Sequence, residues 1–131
     1  LLPKVMHTIF DLSKKIIVLT GGTGLLGSEY TVSLLEAGAS VIIADLEKSN
    51  PLIRAAELSE QYKDKIFGIN CDVSNEKEVI NLFKYVEDHF GRVDVVINNA
   101  AATGEHLMRE GAVFTSFENS DLSVWEKTLK V

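Results

Sequence analysis

The chain has 131 residues, of which 46% are hydrophobic and 24% are charged, and its formal net charge is −6. This length and balance predict one domain over residues 1–131 with a core of its own. The negative charge argues against a nucleic-acid partner and against a membrane-surface partner, because both present phosphates that favour a basic protein face.

The sequence also lacks the pattern of a membrane span or of a secretory signal. Its apolar runs are far shorter than the roughly 20 residues that a spanning helix needs. Leu1 to Phe10 includes Lys4 and His7 and has no apolar core, and the absence of an initial Met is expected of a processed or cut N-terminus. The single cysteine, Cys71, excludes an intrachain disulfide and predicts a buried thiol in a cytoplasmic protein.

Strand and helix patterns alternate from residue 16 onward. A β-branched apolar run predicts the first strand, and the helical pattern that follows it is stopped by Gly38. Asn50 and Pro51 predict the cap and the first turn of the next helix. This half of the chain is predicted to hold a strand at 16–19, a helix from Leu25 to Ala37, a strand at 40–45 and a helix that ends near Tyr62.

The second half continues the alternation. Ser74 and Asn75 are predicted to cap a third helix, which Gly91 ends, and Ser123 with Glu126 forms a predicted capping box for a final helix. The apolar residues of the third helix share one face: Val79, Phe83, Val86 and Phe90. In order, this half is predicted to hold a strand at 65–70, the third helix, a strand at 93–98, an irregular segment over 102–119 and the final helix with Val124, Trp125, Thr128 and Leu129.

Apolar strands that alternate with helices predict a parallel sheet with helices on both faces. The fold class is therefore α/β, a doubly wound Rossmann sheet of which four strands are present. Right-handed crossovers and this topology predict the strand order 3-2-1-4. Ligands of such sheets bind outside the carboxyl ends of the strands, so the residues that follow each strand are the candidate site.

The strongest motif lies between the first strand and the first helix. Thr20 ends the strand, and Gly21, Gly24 and Gly27 follow at a spacing of three residues. In a dinucleotide-binding turn, the first glycine allows the tight turn, the second lets the backbone approach the pyrophosphate and the third lets the helix pack on the strand. The pyrophosphate then binds at the helix N-terminus. A glycine-rich βα turn that serves another ligand is the alternative interpretation.

Asp45 ends the second strand, 18 residues after Gly27, close to the roughly 20 residues expected for a ribose-binding carboxylate. A carboxylate at this position accepts hydrogen bonds from both ribose hydroxyls and repels a 2′-phosphate, so it favours NAD over NADP. Leu46 and Glu47 follow it and supply no arginine for a phosphate, and Lys48 is a weak candidate. A solvated strand end is the alternative interpretation of Asp45.

Two further strand ends carry polar motifs. Asp72-Val73 follows the third strand, and Asn98-Asn99-Ala100-Ala101 ends the fourth. With them, the chain resembles the short-chain dehydrogenase/reductase family from about Phe10 to Val131. The resemblance rests on FDLSKKIIVLTGG (10–22), on Asp45, on Cys71-Asp72-Val73, on Asn98-Asn99-Ala100 and on DLSVWEKTLKV (121–131).

The resemblance implies a role for several of these residues. Asp72 would contact the adenine amino group with Val73 beside the ring, and Thr20 would tie the glycine turn to the sheet. Asn98 would brace the sheet, while Asn99 and Ala100 would line the ribose on the nicotinamide side. The predicted cofactor-binding residues are Thr20, Gly21, Gly24, Leu25, Leu26, Gly27, Asp45, Leu46, Asp72, Val73, Asn99, Ala100 and Ala101.

The sequence departs from the family pattern in three places. The spacing TGxxGxxG is more usual in the extended branch, the nucleotide-sugar epimerases and dehydratases, whereas the compact branch has TGxxxGxG. The Asn98-Asn99 pair and Asp72-Val73 favour the compact branch. Ala101 replaces the usual glycine, and the segment from Ala102 to Asn119 is longer than is common. Six residues of that segment either shape substrate entry or belong to an ordered surface loop: Glu105, His106, Met108, Arg109, Phe114 and Phe117.

No catalytic residue is predicted within the chain. The family transfers protons with a Tyr and a Lys four residues later, and the Lys lowers the pKa of the Tyr phenol. Tyr30, Tyr62 and Tyr85 are not followed by Lys at that spacing. The family's Asn is expected directly after Val131, so the chain resembles the N-terminal, cofactor-binding half of an enzyme and is expected to be inactive alone. The three histidines, His7, His89 and His106, are scattered, so no metal site is predicted.

The sequence therefore predicts part of an oxidoreductase that moves a hydride between NAD(H) and a small-molecule carbonyl or secondary alcohol. An epimerase or dehydratase of the extended branch is one alternative, and a non-catalytic module that binds NAD or self-associates is another. The fourth strand lacks a following strand and the final helix lacks a partner, so we expect a homo-oligomer, formed by edge pairing or through the helix that bears Trp125.

Overall fold

The computed structural model describes residues 10–102, 119 and 121–131. The chain divides into two units, Leu1–Asn99 and Ala100–Val131, which are described separately. The first unit contains a four-stranded sheet, and all three of its strand pairs are parallel. The strand order is β3-β2-β1-β4, which confirms the prediction. The strands are β1 (Ile16–Thr20), β2 (Ser40–Asp45), β3 (Ile66–Asn70) and β4 (Val95–Ile97).

Three helices connect the strands of this unit. They are α1 (Leu25–Glu36), α2 (Pro51–Tyr62) and α3 (Glu76–Phe90), and short 3-10 turns at Glu47–Ser49 and Lys63–Lys65 flank α2. The predicted bounds agree to within one residue except in β4, which begins two residues later and ends one residue earlier than the predicted 93–98. It pairs with β1 only from Ile17 to Leu19.

The core lies on both faces of the sheet, because successive side chains of a strand point to opposite sides. On one face, Ile17 and Ile43 pack with residues of α1 and α2 such as Leu35 and Ala55. On the other face, Val18 and Ile42 belong to a cluster that α3 covers. These strand residues are at most 1% exposed, which explains why β1 and β2 are apolar without alternation.

Helix α3 and Cys71 complete the second face. Val86, which was predicted for the apolar face of this helix, is fully buried, and the structure adds Leu82 to the same contact. Cys71 is buried beside them, as predicted. Burial is the main reason that the pKa of its thiol is raised, and the carboxylates of Glu78 and Asp72 contribute.

The helix ends follow the predicted signals in part. Gly38 and Gly91 adopt positive φ angles of 98° and 71°, as expected of stop residues. Asn75 caps α3 by accepting a hydrogen bond from the N–H of Lys77 at 3.1 Å. Ser74 makes no cap and instead bonds to Asp72. Asn50 occupies the cap position of α2, but it has a left-handed backbone and makes no side-chain cap bond.

The second unit contains a helix, α4 (Leu122–Leu129). The predicted capping box of Ser123 and Glu126 is wrong, because the helix begins one residue before Ser123. Asp121 is the cap, and its carboxylate accepts the N–H of Ser123 at 2.8 Å. Hydrogen bonds from Ser123 lower the pKa of Asp121. The expectations for residues 1–9 and for Glu105, His106, Met108, Arg109, Phe114 and Phe117 lie outside the described residues.

Over the ranges that the structure describes, the helices are too short or too polar for any of them to cross a bilayer.

Asp94 links the start of β1 to the start of β4, and it predicts a pH dependence of stability. Its Oδ2 accepts hydrogen bonds from the Ile16 N–H at 2.8 Å and from Arg92 Nε at 3.2 Å. The Ile16 bond is the main cause that lowers the pKa of Asp94, and Arg92 adds to it. A lowered native pKa contributes stability above the unfolded-state pKa of about 3.9, and this contribution is lost as the pH falls through the native value.

We therefore expect the unfolding free energy, measured by urea titration at successive pH values below about 5, to fall more steeply in the wild type than in Asp94→Asn. Asp88→Asn, which removes an exposed carboxylate of α3, is the control. Its unfolding free energy should depend on pH as steeply as that of the wild type. Equal slopes in the wild type and Asp94→Asn would contradict the assignment.

Candidate functional site

The parallel strands place their carboxyl ends at one edge of the sheet, where most of the predicted site residues meet. Thr20 and Asp45 are the last residues of β1 and β2, which are neighbours in the sheet. Asp72 follows β3 by two residues, and Asn99 follows β4 by two. Ala100 and Ala101 fall in the second unit, so their contribution to the site stays a prediction.

The glycine turn is tied to β2 and opens directly into α1. Gly21 has a φ angle of 65° and donates its N–H to the Ala44 carbonyl at 2.8 Å. Gly24 is the cap residue of α1 and makes no side-chain cap bond. The first N–H groups of a helix have no partner within it, so this end can bind an anion. Leu25 and Leu26 begin the helix with exposed side chains.

The three motif glycines are required for different reasons. A Cβ on Gly27 would lie 2.0 Å from the Gly21 carbonyl oxygen, so the contact of α1 with the turn excludes any side chain. A Cβ on Gly24 would meet only the same oxygen at 3.3 Å, a tight but adjustable contact. Packing within the protein therefore explains why residue 27 must be glycine, whereas the absence of a side chain at Gly24 leaves space that a ligand can use.

Gly22 is required by packing, and the glycine motif did not predict this. A Cβ there would lie 2.6 Å from the Cβ and Cγ2 atoms of Ile43, so the turn crosses β2 at a distance that only glycine permits. The pair Gly21-Gly22 was the available signal, but the consensus motif does not require a second glycine and nothing local indicates the approach of Ile43.

Asp45 is held against the glycine turn. Its Oδ2 accepts hydrogen bonds from the Thr23 N–H at 3.0 Å and from Thr23 Oγ1 at 2.6 Å, and its Oδ1 accepts one from the Leu46 N–H at 2.9 Å. Three donors therefore hold this half-buried carboxylate at the end of β2. The acidic residue and the glycine turn thus form one local structure, and Thr23, which connects them, was not among the predicted residues.

The loop after β3 orients Asp72 in a similar way. Asp72 Oδ1 accepts hydrogen bonds from the Ser74 N–H at 2.9 Å and Ser74 Oγ at 2.7 Å, and Oδ2 has no partner among the described residues. The Asp72 N–H donates to Glu78 Oε2 at 2.7 Å, while Glu78 Oε1 accepts from Asn75 at 2.8 Å. Val73 packs against the α3 side of the core. Glu78 was missed because its role depends on a contact six residues away.

Asn99 joins the ends of β1 and β4. Its Nδ2 donates to the carbonyl oxygens of Thr20 and Gly21, both at 3.1 Å, and its backbone N–H donates to Thr20 Oγ1 at 3.0 Å. Thr20 Oγ1 in turn donates to the Ile97 carbonyl at 3.4 Å, so Thr20 links the ends of β1 and β4. Its predicted role in tying the glycine turn to the sheet stays a prediction. The brace that was expected of Asn98 is formed by Asn99. The amide oxygen of Asn99, which these bonds leave unused, is the atom that can face a ligand.

The comparisons agree with this geometry. A family model described as short chain dehydrogenase matches residues 15–131. The chain belongs to the short-chain dehydrogenase family. It is 36% identical over 92 residues to 15-hydroxyprostaglandin dehydrogenase [NAD(+)] of Rattus norvegicus, a match that covers 70% of this chain and 35% of the rat protein.

Other short-chain dehydrogenases give similar matches. The chain is 33% identical over 114 residues to 3beta-hydroxysteroid dehydrogenase 2 of Eggerthella lenta, with 87% of this chain and 40% of that protein covered. The crystal structure of NADPH-dependent 3-quinuclidinone reductase from Rhodotorula rubra superimposes with a TM-score of 0.79 at 27% identity, over 100% of this chain and 46% of that one. The chain therefore spans less than half the length of these relatives.

Proposed function

We propose that this chain binds NAD(H) at the carboxyl edge of its sheet and is the cofactor-binding part of an oxidoreductase that acts on a carbonyl or secondary alcohol. The observation that carries the proposal is the position of Asp45, whose carboxylate is fixed beside the glycine turn at the end of β2. A fixed negative charge there suits a ribose with two free hydroxyls and opposes a 2′-phosphate.

The remaining contacts follow from the residues around this carboxylate. The N-terminus of α1 would take the pyrophosphate, with Gly24 giving the phosphates room to approach and Leu25 and Leu26 at the first turn. Leu46 would lie beside the adenosine ribose. Asp72 Oδ2 is available for the adenine amino group, and Val73 would flank the ring.

Asn99 would contribute its amide oxygen on the nicotinamide side. When bound, the cofactor supplies the hydride acceptor or donor, and the residues of this chain bind and orient it. The sequence contains no Tyr-x-x-x-Lys, so proton transfer to the substrate is not assigned to this chain. We further propose that the protein is cytoplasmic and forms a homo-oligomer.

Binding of NAD and NADP, measured by isothermal titration calorimetry, tests the proposal. We expect the wild-type chain to bind NAD at least about tenfold more tightly than NADP. Asp45→Ala should lose this preference, because both the charge-assisted hydrogen bond to the ribose and the repulsion of a 2′-phosphate disappear. The 3-quinuclidinone reductase from Rhodotorula rubra is NADPH-dependent, so both dinucleotides have to be titrated.

Asp64→Ala is the matched control, because this exposed carboxylate lies in the turn before β3, at the opposite edge of the sheet. It should leave both affinities unchanged. Equal or tighter binding of NADP by the wild type would contradict the NAD assignment, and no binding of either dinucleotide would overturn the proposed function.

A further inference from the structure

Thr23 provides both donors that hold one oxygen of the Asp45 carboxylate. The Oγ1–Oδ2 distance of 2.6 Å is in the range of a charge-assisted hydrogen bond between a hydroxyl and a carboxylate. The Thr23 N–H adds a second bond to the same oxygen at 3.0 Å. We infer that Thr23 is a positioning residue that sets the preference for NAD over NADP by fixing Asp45; the inference rests on the proposed function.

Both ends of this contact are anchored in regular structure. Asp45 pairs with Asn70 of β3, and its carbonyl accepts the Cys71 N–H at 2.8 Å. The Thr23 carbonyl accepts a hydrogen bond from Ser28 Oγ in the first turn of α1 at 3.2 Å. The carboxylate is therefore held between a strand and a helix, and its orientation does not depend on a bound ligand.

The bonds leave a defined acceptor site on the carboxylate. An ionised carboxylate offers about four lone-pair positions, and Thr23 and Leu46 occupy three of them. The remaining position is on Oδ1, so a ribose hydroxyl can donate there without displacing the Thr23 hydroxyl. Preorganisation of this kind strengthens binding, because the side chain does not lose rotamer freedom when the ligand arrives.

The same restraint explains discrimination against NADP. A 2′-phosphate at this position would meet a carboxylate that cannot rotate away, so the repulsion between the two charges is retained in full. Without the Thr23 hydroxyl, Asp45 keeps only the backbone bonds from Thr23 and Leu46. Its side chain can then turn aside, which weakens the contact with NAD and relieves the repulsion of NADP.

The test compares Thr23→Val, which removes the hydroxyl and keeps the β-branched shape, with Thr23→Ser, which restores a hydroxyl. We expect Thr23→Val to bind NAD about five- to tenfold more weakly, with NADP binding unchanged or tighter, so that the preference falls by at least the same factor. Thr23→Ser should keep the wild-type preference. Ser33→Ala removes an exposed hydroxyl of α1 that bonds only within the helix and should behave as the wild type.

A double-mutant cycle separates positioning from a general effect on the turn. In the Asp45→Ala background, Thr23→Val should change neither NAD nor NADP binding, because there is no carboxylate left to position. Calorimetry with NAD and NADP on all variants is the readout, and thermal unfolding verifies that each is folded.

The outcomes distinguish the inference from the proposed function. If Asp45→Ala loses the NAD preference while Thr23→Val retains it or binds NAD more tightly, the positioning role is overturned and the proposed function stands. The positioning role is also overturned if Thr23→Val weakens NAD binding equally in the wild-type and Asp45→Ala backgrounds. If the wild type binds neither dinucleotide, the proposed function is overturned, and the positioning role of Thr23 is overturned with it.

Discussion

Gly27→Ala is expected to abolish dinucleotide binding and to destabilise the first unit of the chain. The added Cβ would lie 2.0 Å from the Gly21 carbonyl oxygen and 2.8 Å from Gly22 Cα, both of which are backbone atoms that cannot rotate away. Overpacking of a well-packed site costs about 1–3 kcal/mol, and occasionally more. Because α1 and the glycine turn must separate to admit the methyl group, we expect a loss of about 3 kcal/mol or more.

Gly24→Ala is the informative comparison for this substitution. Its Cβ would contact only the Gly21 carbonyl oxygen, at 3.3 Å, so the fold should tolerate it within about 1 kcal/mol. NAD binding should nevertheless fall, because the methyl group occupies the approach of the phosphates to the helix N-terminus.

Urea unfolding and NAD titration of both variants separate the two roles. Gly27→Ala should lose stability and binding together, whereas Gly24→Ala should lose binding alone. A Gly27→Ala variant as stable as the wild type would show that the turn can move and would contradict the packing argument. A Gly24→Ala variant with unchanged NAD affinity would contradict the proposal that the phosphates approach the backbone at Gly24.

The architecture of the first unit was predictable because local patterns and long-range packing agree. Residues of β1 and β2 are buried on both faces of the sheet, so apolar β-branched runs identify the strands without alternation. The alternation with helices then restricts the topology to very few solutions. The shorter β4 was not predictable, because its length is set by where it pairs with β1, and Asp94 uses its side chain to bond Ile16 there.

The candidate site was predictable in its positions and less so in its contacts. Gly21, Gly27 and Asp45 carry local signals, because a tight turn, a close helix and a strand end each favour one residue type. The partners of these residues lie far along the chain: Thr23 meets Asp45 22 residues later, and Asn99 reaches Thr20 across 79 residues. Such pairs leave no periodic pattern in the sequence.

The predictions for the cap of α4 and for the bracing role of Asn98 were wrong for the same reason, because both depend on contacts that leave no pattern in the sequence. Asp121 and Ser123 are both good cap residues, and the sequence does not decide which N–H groups are presented to them. Asn98 and Asn99 are chemically identical neighbours, and only the geometry at the end of β4 decides which amide reaches β1. The structure gives that role to Asn99, and this assignment can be tested directly.

Asn99→Ala is expected to lower the unfolding free energy by about 1–3 kcal/mol, because the carbonyl oxygens of Thr20 and Gly21 both lose their side-chain donor. The backbone bond from Asn99 to Thr20 Oγ1 remains, so the fold should persist. Asn98→Ala, the exposed neighbour, should change stability by less than about 0.5 kcal/mol. Urea unfolding of the two variants measures this difference directly. Since Gly21 belongs to the glycine turn, Asn99→Ala should also weaken NAD binding. A larger loss of stability in Asn98→Ala than in Asn99→Ala would contradict this assignment and would indicate that Asn98 braces the sheet.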